Sequence, residues 1–357
     1  MVANYVSSDG NRPIAIHLDG QGYGKAWVEY CERNGVNYKI VDCHAANIID
    51  EIEGCLGLMW HWNHLNQAAM IHARSLILCI ERLGKFVYPN YATSWHYDDK
   101  VAQKYLFESL GYKDVMVPSY VFYRLADAME WISSCSFPKV FKLKGGAGSE
   151  NVMLVRTPGY AKRLIRKSFR SGWSDRRRFG SLKERIWRFR RDKSLRKLLE
   201  ISLGIGRALI PRQSGIQIGY AYFQDFIPGN DRDIRVVVIG SKAFAIIRGV
   251  RQGDFRASGS GLIDYDPRAI PEDCLRLAFE ISRRAKLQSA AYDFIFDEGH
   301  PKLVEVSYAF TAEAYRGCPG YWTQDMRWND GSVDPKIMII EEFLAESQIY
   351  ARDLESG

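Results

Sequence analysis

AAYDFIFDEGHPKLVEVSYAF, residues 290–310, sets one acid inside each of two apolar runs joined by Asp297, Glu298, Gly299, His300 and Pro301. Strands favour β-branched and aromatic residues, so Asp293 and Glu305 call for a reason. Side chains alternate along a strand. That alternation predicts Leu303, Glu305 and Ser307 on one face and Val304 and Val306 on the other. Asp293 shares its face with Ile295, while Phe294 and Phe296 point the opposite way. Strand acids commonly face water, but in a hairpin these two can converge on one face. Hard oxygen ligands so placed suit Mg²⁺, which takes one or two carboxylates and completes its shell with water and phosphate.

The chain has 357 residues, enough for two to three structural units, and its 46% hydrophobic and 25% charged residues supply a sizeable core. The start, MVANYVSSDGNRPIAIHLDG, lacks a basic-then-apolar signal, so the expected compartment is the cytoplasm. The most apolar run, AAMIHARSLILCI (68–80), is too short and too polar to span a bilayer. Seven cysteines at 31, 43, 55, 79, 135, 274 and 318 form no CxxC pair, which fits free thiols rather than a disulfide frame or a zinc site. Charge is unevenly spread. Residues 156–212 carry 19 lysines and arginines against four acids, a net +15, whereas the whole chain is +7 and the remainder therefore −8. An acidic body carrying one basic insertion is expected.

Apolar PIAIHL, YKIVDC, LGLMWHW and KFVYPN alternate with helical patterns that include KAWVEYCERNG and residues 66–83, which predicts a parallel α/β unit over 1–90. DGQGYG after the first strand lacks GxGxxG spacing, which disfavours a dinucleotide site. Residues 91–155 hold a helix at 98–111, then SYVFYR, LADAMEWISS, KVFKLK and a glycine-rich loop before a further strand. A basic helical insertion is expected over 156–218. Residues 219–357 return to strands at AYFQDFI, IRVVVIG and KAFAIIRGV. A helix at 271–285, the acid hairpin, a loop-rich stretch to about 333 and a helix at 335–346 complete the chain.

FKLKGGAGSENV joins strand lysines, Lys142 and Lys144, to a flexible loop whose backbone N–H groups can cradle phosphate. The spacing is not that of a Walker loop, and a plain hairpin turn is the bland alternative. In YFQDFIPGNDRDIRVVVIG a strand ends at Gln224-Asp225-Phe226-Ile227, breaks at Pro228-Gly229 and re-enters through Asp233 and Arg235. An apolar edge with free backbone groups suits an adenine ring, and the acid and cation suit ribose and phosphate. In GDFRASGSGL, Arg256 precedes a small-residue loop and can pair bidentately with phosphate or carboxylate oxygens.

In order and spacing, HYDDKVAQKYL, FPKVFKLKGGAGSENVMLV, FQDFIPGNDRDIRVVVIGSKAFA, GDFRASGSG and YDFIFDEGHPKLVEVSYAF resemble the ATP-grasp superfamily over residues 96–310. The likeness is closest to the branch of the ribosomal-protein glutamate ligase and related carboxylate–amine ligases. VDCHAANI, LMWHWNH and CPGYW further resemble uncharacterised ATP-grasp proteins of bacterial surface-polysaccharide gene sets. The resemblance implies an α/β ATP-grasp fold preceded by a parallel α/β domain, and the cofactors ATP and Mg²⁺. It implies nucleotide binding by Lys100, Lys142, the loop Gly145, Gly146, Gly148 and Ser149, the hinge Gln224, Asp225, Phe226 and Ile227, and a ribose contact by Asp233. Arg235 and Arg256 fall beside the transferring phosphoryl group, and Asp293 and Glu305 fall on the metal acids. Ser307 stands where the family has asparagine, which leaves open whether one or two metals bind. Lys144 has no family counterpart and reads as solvent-facing. The chemistry implied is activation of a carboxylate as an acyl phosphate followed by attack of an amine, with a uronic acid of a surface glycan as one candidate acceptor. A kinase-like or carboxylate–thiol variant and a non-catalytic nucleotide-binding scaffold at a membrane are the rival readings.

Leu182, Ile186, Phe189 and Leu195–Leu199 give the basic segment an incomplete apolar stripe. A solvated helical hairpin and a surface for anionic lipid or an acidic glycan are the competing expectations, the second of which would hold the chain at the inner face of the membrane. Nucleic acid is disfavoured, for no groove-reading element is recognisable. Tyr321, Trp322 and Trp328 could stack on sugar faces or pin down the C-terminal segment.

Overall fold

The computed structural model describes residues 12–20, 22–64, 66–145, 151–173, 216–250 and 261–356. The chain forms two compact units, residues 1–97 with 230–357, and residues 98–229.

The first unit begins with a parallel sheet of order β2-β1-β3-β4, built from β1 (Ile14–His17), β2 (Tyr38–Val41), β3 (Gly57–Met59) and β4 (Phe86–Tyr88). Its connections are α1 (Tyr23–Asn34), α2 (Ile48–Glu51) and α3 (Gln67–Arg82). Gly35 ends α1 at φ 67°, and Asn66 caps α3 by accepting from Ala69 N at 3.1 Å. Trp27 of α1 packs with Ile14, Ile16 and Met59, whereas Ile52, Ala73, Ile77 and Ile80 cover the Ala15 and Leu58 face. At Gly24 a Cβ would stand 2.3 Å from His17 O, so only glycine lets α1 start this close to the end of β1.

The rest of this unit is an antiparallel sheet in the order β13-β12-β9-β10-β14-β15, with β11 (Ile263–Asp264) paired to β10. The strands are β9 (Arg232–Ile239), β10 (Lys242–Gly249), β12 (Ser289–Asp297), β13 (His300–Ser307), β14 (Gly320–Thr323) and β15 (Trp328–Asp330). Val237, Phe244, Ile246 and Ala291 share one core with Ile14, Trp27 and the helix Pro335–Ser356 (α9), which runs ten residues past its expected end. The amphipathic helix Glu272–Ala285 (α8) buries Leu275, Ala278 and Phe279. The β14–β15 hairpin lies in the stretch expected to be loop. Its strands are short, start at a glycine and turn through Met326 at φ 61°, so neither length nor a turn dipeptide marks it.

The second unit is an antiparallel sheet of order β5-β8-β6-β7, from β5 (Ser119–Phe122), β6 (Lys139–Lys142), β7 (Val152–Val155) and β8 (Ala221–Asp225). α4 (Tyr91–Ser94) belongs to the first unit, and the helices of the second are α5 (Lys100–Ser109), α6 (Leu125–Ser134) and α7 (Pro158–Arg170). Ile132, Leu164 and Ile165 cover Phe141 and Phe223 of the sheet. α7 opens the segment expected as a basic insertion, yet its apolar face belongs to this core. The stripe from Leu182 to Leu199 lies outside the described residues.

Candidate functional site

The acid hairpin forms as β12 and β13, joined by a two-residue turn with Glu298 at φ 49° and Gly299 at φ 84°, the left-handed pair a tight hairpin requires. Asp293 stands directly opposite Glu305, and Ala291 opposite Ser307. One detail of the expected alternation is corrected. The register slips after Asp293, so Phe294 pairs with Leu303, which is fully buried on the face away from Glu305. A bulge at Val304 produces this slip, and bulges often re-aim side chains beside functional sites.

Asp293 also stands opposite Arg235 on β9, and Asp233 opposite Arg248 on β10. Arg235 donates from Nε to Asp293 Oδ1 at 2.5 Å and from Nη2 to Oδ2 at 2.7 Å. Arg248 donates from Nε to Asp233 Oδ1 at 2.7 Å and from Nη2 to Oδ2 at 2.5 Å, while the same Nη2 lies 2.9 Å from Asp293 Oδ2. Two acids and two arginines thus form a chain on one face of the sheet, buried except at Arg235. Burial alone would raise the Asp293 carboxyl, but the Arg235 and Arg248 guanidiniums outweigh it and hold the group well below the usual carboxylate range. Glu305 and Ser307 are half-buried. Ser307 donates its hydroxyl to Ala309 O at 2.8 Å, and a hydroxyl that donates still carries oxygen lone pairs. The donor set Asp293, Glu305 and Ser307 is therefore all oxygen and ionised at Asp293, which fits Mg²⁺.

In the second unit Lys142 ends β6, is buried, and donates through Nζ to Gln224 Oε1, whose amide donates to Ser119 Oγ at 3.1 Å. The strand stops at Lys142, so Lys144 does not continue on the same face. Its side chain is half exposed and pairs with Asp99 Oδ2 at 2.8 Å. Asp99 also caps α5 through Ala102 N at 2.9 Å, and Lys100 N donates to Lys144 O at 2.9 Å. The buried Lys100 and Lys142 are thereby held on elements tied to one another. Asp225 spends its carboxylate on Lys139 Nζ at 2.5 Å, and its N–H on Pro118 O at 2.9 Å. Gly145 approaches Asp98 so closely that a Cβ would lie 3.0 Å from its Oδ2. Asn151 donates to Gly145 O at 3.2 Å. Gly146, Gly148, Ser149 and Arg256 lie outside the described residues. Phe226 and Ile227 follow β8 at the end of this unit.

Sequence reasoning passed over Arg248, Lys139 and Asn151. Arg248 carried one signal, a lone charge closing the apolar run KAFAII, but its partners follow from register alone.

This architecture is the ATP-grasp fold, and residues 207–315 match the family model of the RimK-like ATP-grasp domain. Among solved structures, a RimK domain ATP-grasp protein from Sphaerobacter thermophilus is 15% identical, with 94% of this chain and 100% of that chain covered and a TM-score of 0.55. D-alanine–D-alanine ligase from Bacillus anthracis is 12% identical, with 97% and 100% covered and a TM-score of 0.53. The biotin carboxylase domain of the Hydrogenobacter thermophilus 2-oxoglutarate carboxylase, solved with MgADP and bicarbonate, is 12% identical, with 84% and 64% covered and a TM-score of 0.52. No curated protein matches the chain. Among the described residues no helix is long and apolar enough to cross a membrane.

Proposed function

We propose that the protein is an ATP-dependent carboxylate–amine ligase that forms ADP and phosphate. The observation that carries this reading is the register pairing of Asp293 with Glu305, with Ser307 two places on. These three would hold Mg²⁺, which supplies neutralisation of phosphate charge when bound. Lys100 and Lys142 would bind nucleotide phosphates, and residues 224–227 would meet the base through backbone groups, since the Asp225 carboxylate is taken by Lys139. Gly145 to Ser149 would cover the phosphates.

Asp233 was expected to meet the ribose. Its carboxylate is bidentate with Arg248, so that role requires it to share oxygens with a guanidinium. Arg235, and Arg256 by resemblance, would stabilise the transferring phosphoryl group. A carboxylate oxygen takes the γ-phosphoryl group and ADP leaves; the amine then attacks the acyl carbon, and phosphate and a proton leave. Positioning and charge neutralisation suffice for this, without a nucleophilic side chain. The carboxylate we favour is a uronic acid of a surface glycan or its lipid-linked precursor, presented to the basic face of α7.

One observation favours a second reading. Asp293 is already held by two guanidiniums and Ser307 replaces an amide, as expected of a nucleotide-binding scaffold that has lost turnover. Incubation with ATP, Mg²⁺ and panels of acids and amines, followed by mass spectrometry and phosphate assay, separates the readings. Amide with ADP and phosphate supports the ligase. A stable phosphorylated product indicates kinase-like chemistry, a thioester the thiol variant, and ATP binding without any product the scaffold.

A further inference from the structure

Two stretches that the ligase chemistry leaves unused, VDCHAANI and LMWHWNH, meet at one edge of the parallel sheet. In the order β2-β1-β3-β4 the chain leaves β1 toward β2 and then returns to β3 on the other side. Open α/β sheets place ligands outside the carboxyl ends of the strands at such a reversal. His17 ends β1, Asp42 and His44 follow β2, and Trp60 follows β3, so all four sit at that edge.

We propose that His17, Asp42 and His44 form a cation site separate from the acid hairpin, for a divalent ion of the imidazole-preferring class typified by Zn²⁺. One ligand atom from each residue lies within 4.8 Å of the other two. Ligand atoms around a four-coordinate zinc stand roughly 3.3 Å apart, so only a small contraction is needed. The side chains that must move can do so: Asp42 is 65% exposed, and His44 is exposed. His17, by contrast, is fixed. Its Nδ1 lies 3.3 Å from Val41 O and 3.1 Å from Cys43 N. Ligation through Nε2 selects the tautomer in which Nδ1–H donates to the Val41 carbonyl, the usual support of a metal-bound imidazole, and the Cys43 N–H then gives up its bond to Nδ1.

Two further rings wall the site. Trp60 is fully buried, contacts the His17 and His44 rings edge-on at 5.5 and 5.6 Å, and has an indole N–H without a hydrogen-bond partner. His72 of α3 lies beside the cluster, its ring 4.8 Å from that of His44 and its Nδ1 2.7 Å from the Ala68 carbonyl oxygen. Two nitrogens and one carboxylate select zinc-like ions over Mg²⁺, which prefers oxygen alone. Three protein ligands with an exposed side leave a coordination position for water or an anionic group.

The test uses untagged, metal-stripped full-length protein carrying Glu305→Ala, so that the acid hairpin does not compete. Calorimetry with Zn²⁺ and visible absorption with Co²⁺ should show one equivalent bound, with the ligand-field bands of a nitrogen–oxygen site. Asp42→Asn and His44→Ala, both at exposed side chains, should each weaken binding by about tenfold or more while circular dichroism stays unchanged. Unchanged affinity in both variants, or no stoichiometric binding by the parent, overturns the proposal. So does an intense sulfur-to-cobalt band, which would place the ion on a thiol such as the exposed Cys79. None of these readouts depends on turnover.

Discussion

Arg248 on β10 reaches across β9 to Asp293 on β12, its Nη2 2.9 Å from Oδ2, while its other contacts clamp Asp233. One guanidinium therefore links two acids that lie 60 positions apart. Removing it leaves the buried Asp233 carboxylate without its cation, and breaking a buried pair in this way typically costs about 3–5 kcal/mol. Arg248→Ala should lower the urea midpoint accordingly. Arg248→Lys should recover only part of the loss, because an ammonium cannot make the paired Nε and Nη2 contacts. A midpoint for Arg248→Ala within error of wild type would show that the network contributes nothing.

The hairpin acids should separate in their effects on stability. Both Asp293→Asn and Glu305→Ala should abolish Mg²⁺-dependent turnover. Glu305 is half-buried and opposite Asp293, so its loss should leave the fold intact. Asp293→Asn removes the negative charge from between Arg235 and Arg248 and should also destabilise the protein by a few kcal/mol. Denaturation curves beside activity assays check it, and normal turnover by folded Glu305→Ala would remove that residue from the metal site.

Lys142 and Lys144 diverge as well. Lys142 is buried against Gln224, whereas Lys144 is half exposed and paired with Asp99. Lys142→Ala should weaken ATP binding by about tenfold or more, on the order of 1.4 kcal/mol, and Lys144→Ala should change it far less. Calorimetric titration with a non-hydrolysable ATP analogue gives both affinities, and equal values would end the distinction.

Much of this site was legible in the sequence because a strand period of two exposes an acid in an apolar run. Asp293 and Glu305 stood out on that basis, whereas the order of the five motifs spoke through the resemblance to a known family. Arg248 was not legible in its role, since its meaning lies in the order β12-β9-β10 and in the register of three strands. The bulge at Val304 was hidden too; a single extra residue leaves no compositional trace, yet it moved Leu303 to the opposite face. Likewise β14 and β15 are too short to show a period.

His61 supplies a pH test. It is 1% exposed, stacked on Tyr23 at 3.8 Å, and burial lowers its pKa from 6.5 to about 4. The folded state therefore keeps the ring neutral while the unfolded chain protonates near 6.5. Between these values the unfolded state binds more protons, so stability is full above about pH 6.5 and falls as pH drops toward 4. The gap corresponds to a loss of about 3 kcal/mol across that window. His61→Phe retains an aromatic ring and should flatten this part of the stability profile. An equally steep profile in the variant would assign the acid sensitivity to other groups.

The last prediction concerns α7. Arg163, Arg166 and Arg170 are exposed, and no acid occurs between Arg156 and Trp173. The opposite face of the helix is occupied, with Ala161, Leu164 and Ile165 buried in the core, so α7 can offer charge but has no free apolar face to insert into lipid. Its attraction for an anionic partner should be electrostatic and should weaken as salt rises. At an anionic membrane each nearby arginine contributes on the order of 1 kcal/mol. Replacing Arg163, Arg166 and Arg170 with glutamate should therefore release the protein from phosphatidylserine vesicles or raise the KM for an acidic glycan. Because the three side chains lie on the outer face, the fold and the KM for ATP should barely change. If the triple variant instead loses ATP affinity while keeping its affinity for vesicles and glycan, the basic face serves the nucleotide and not the acceptor.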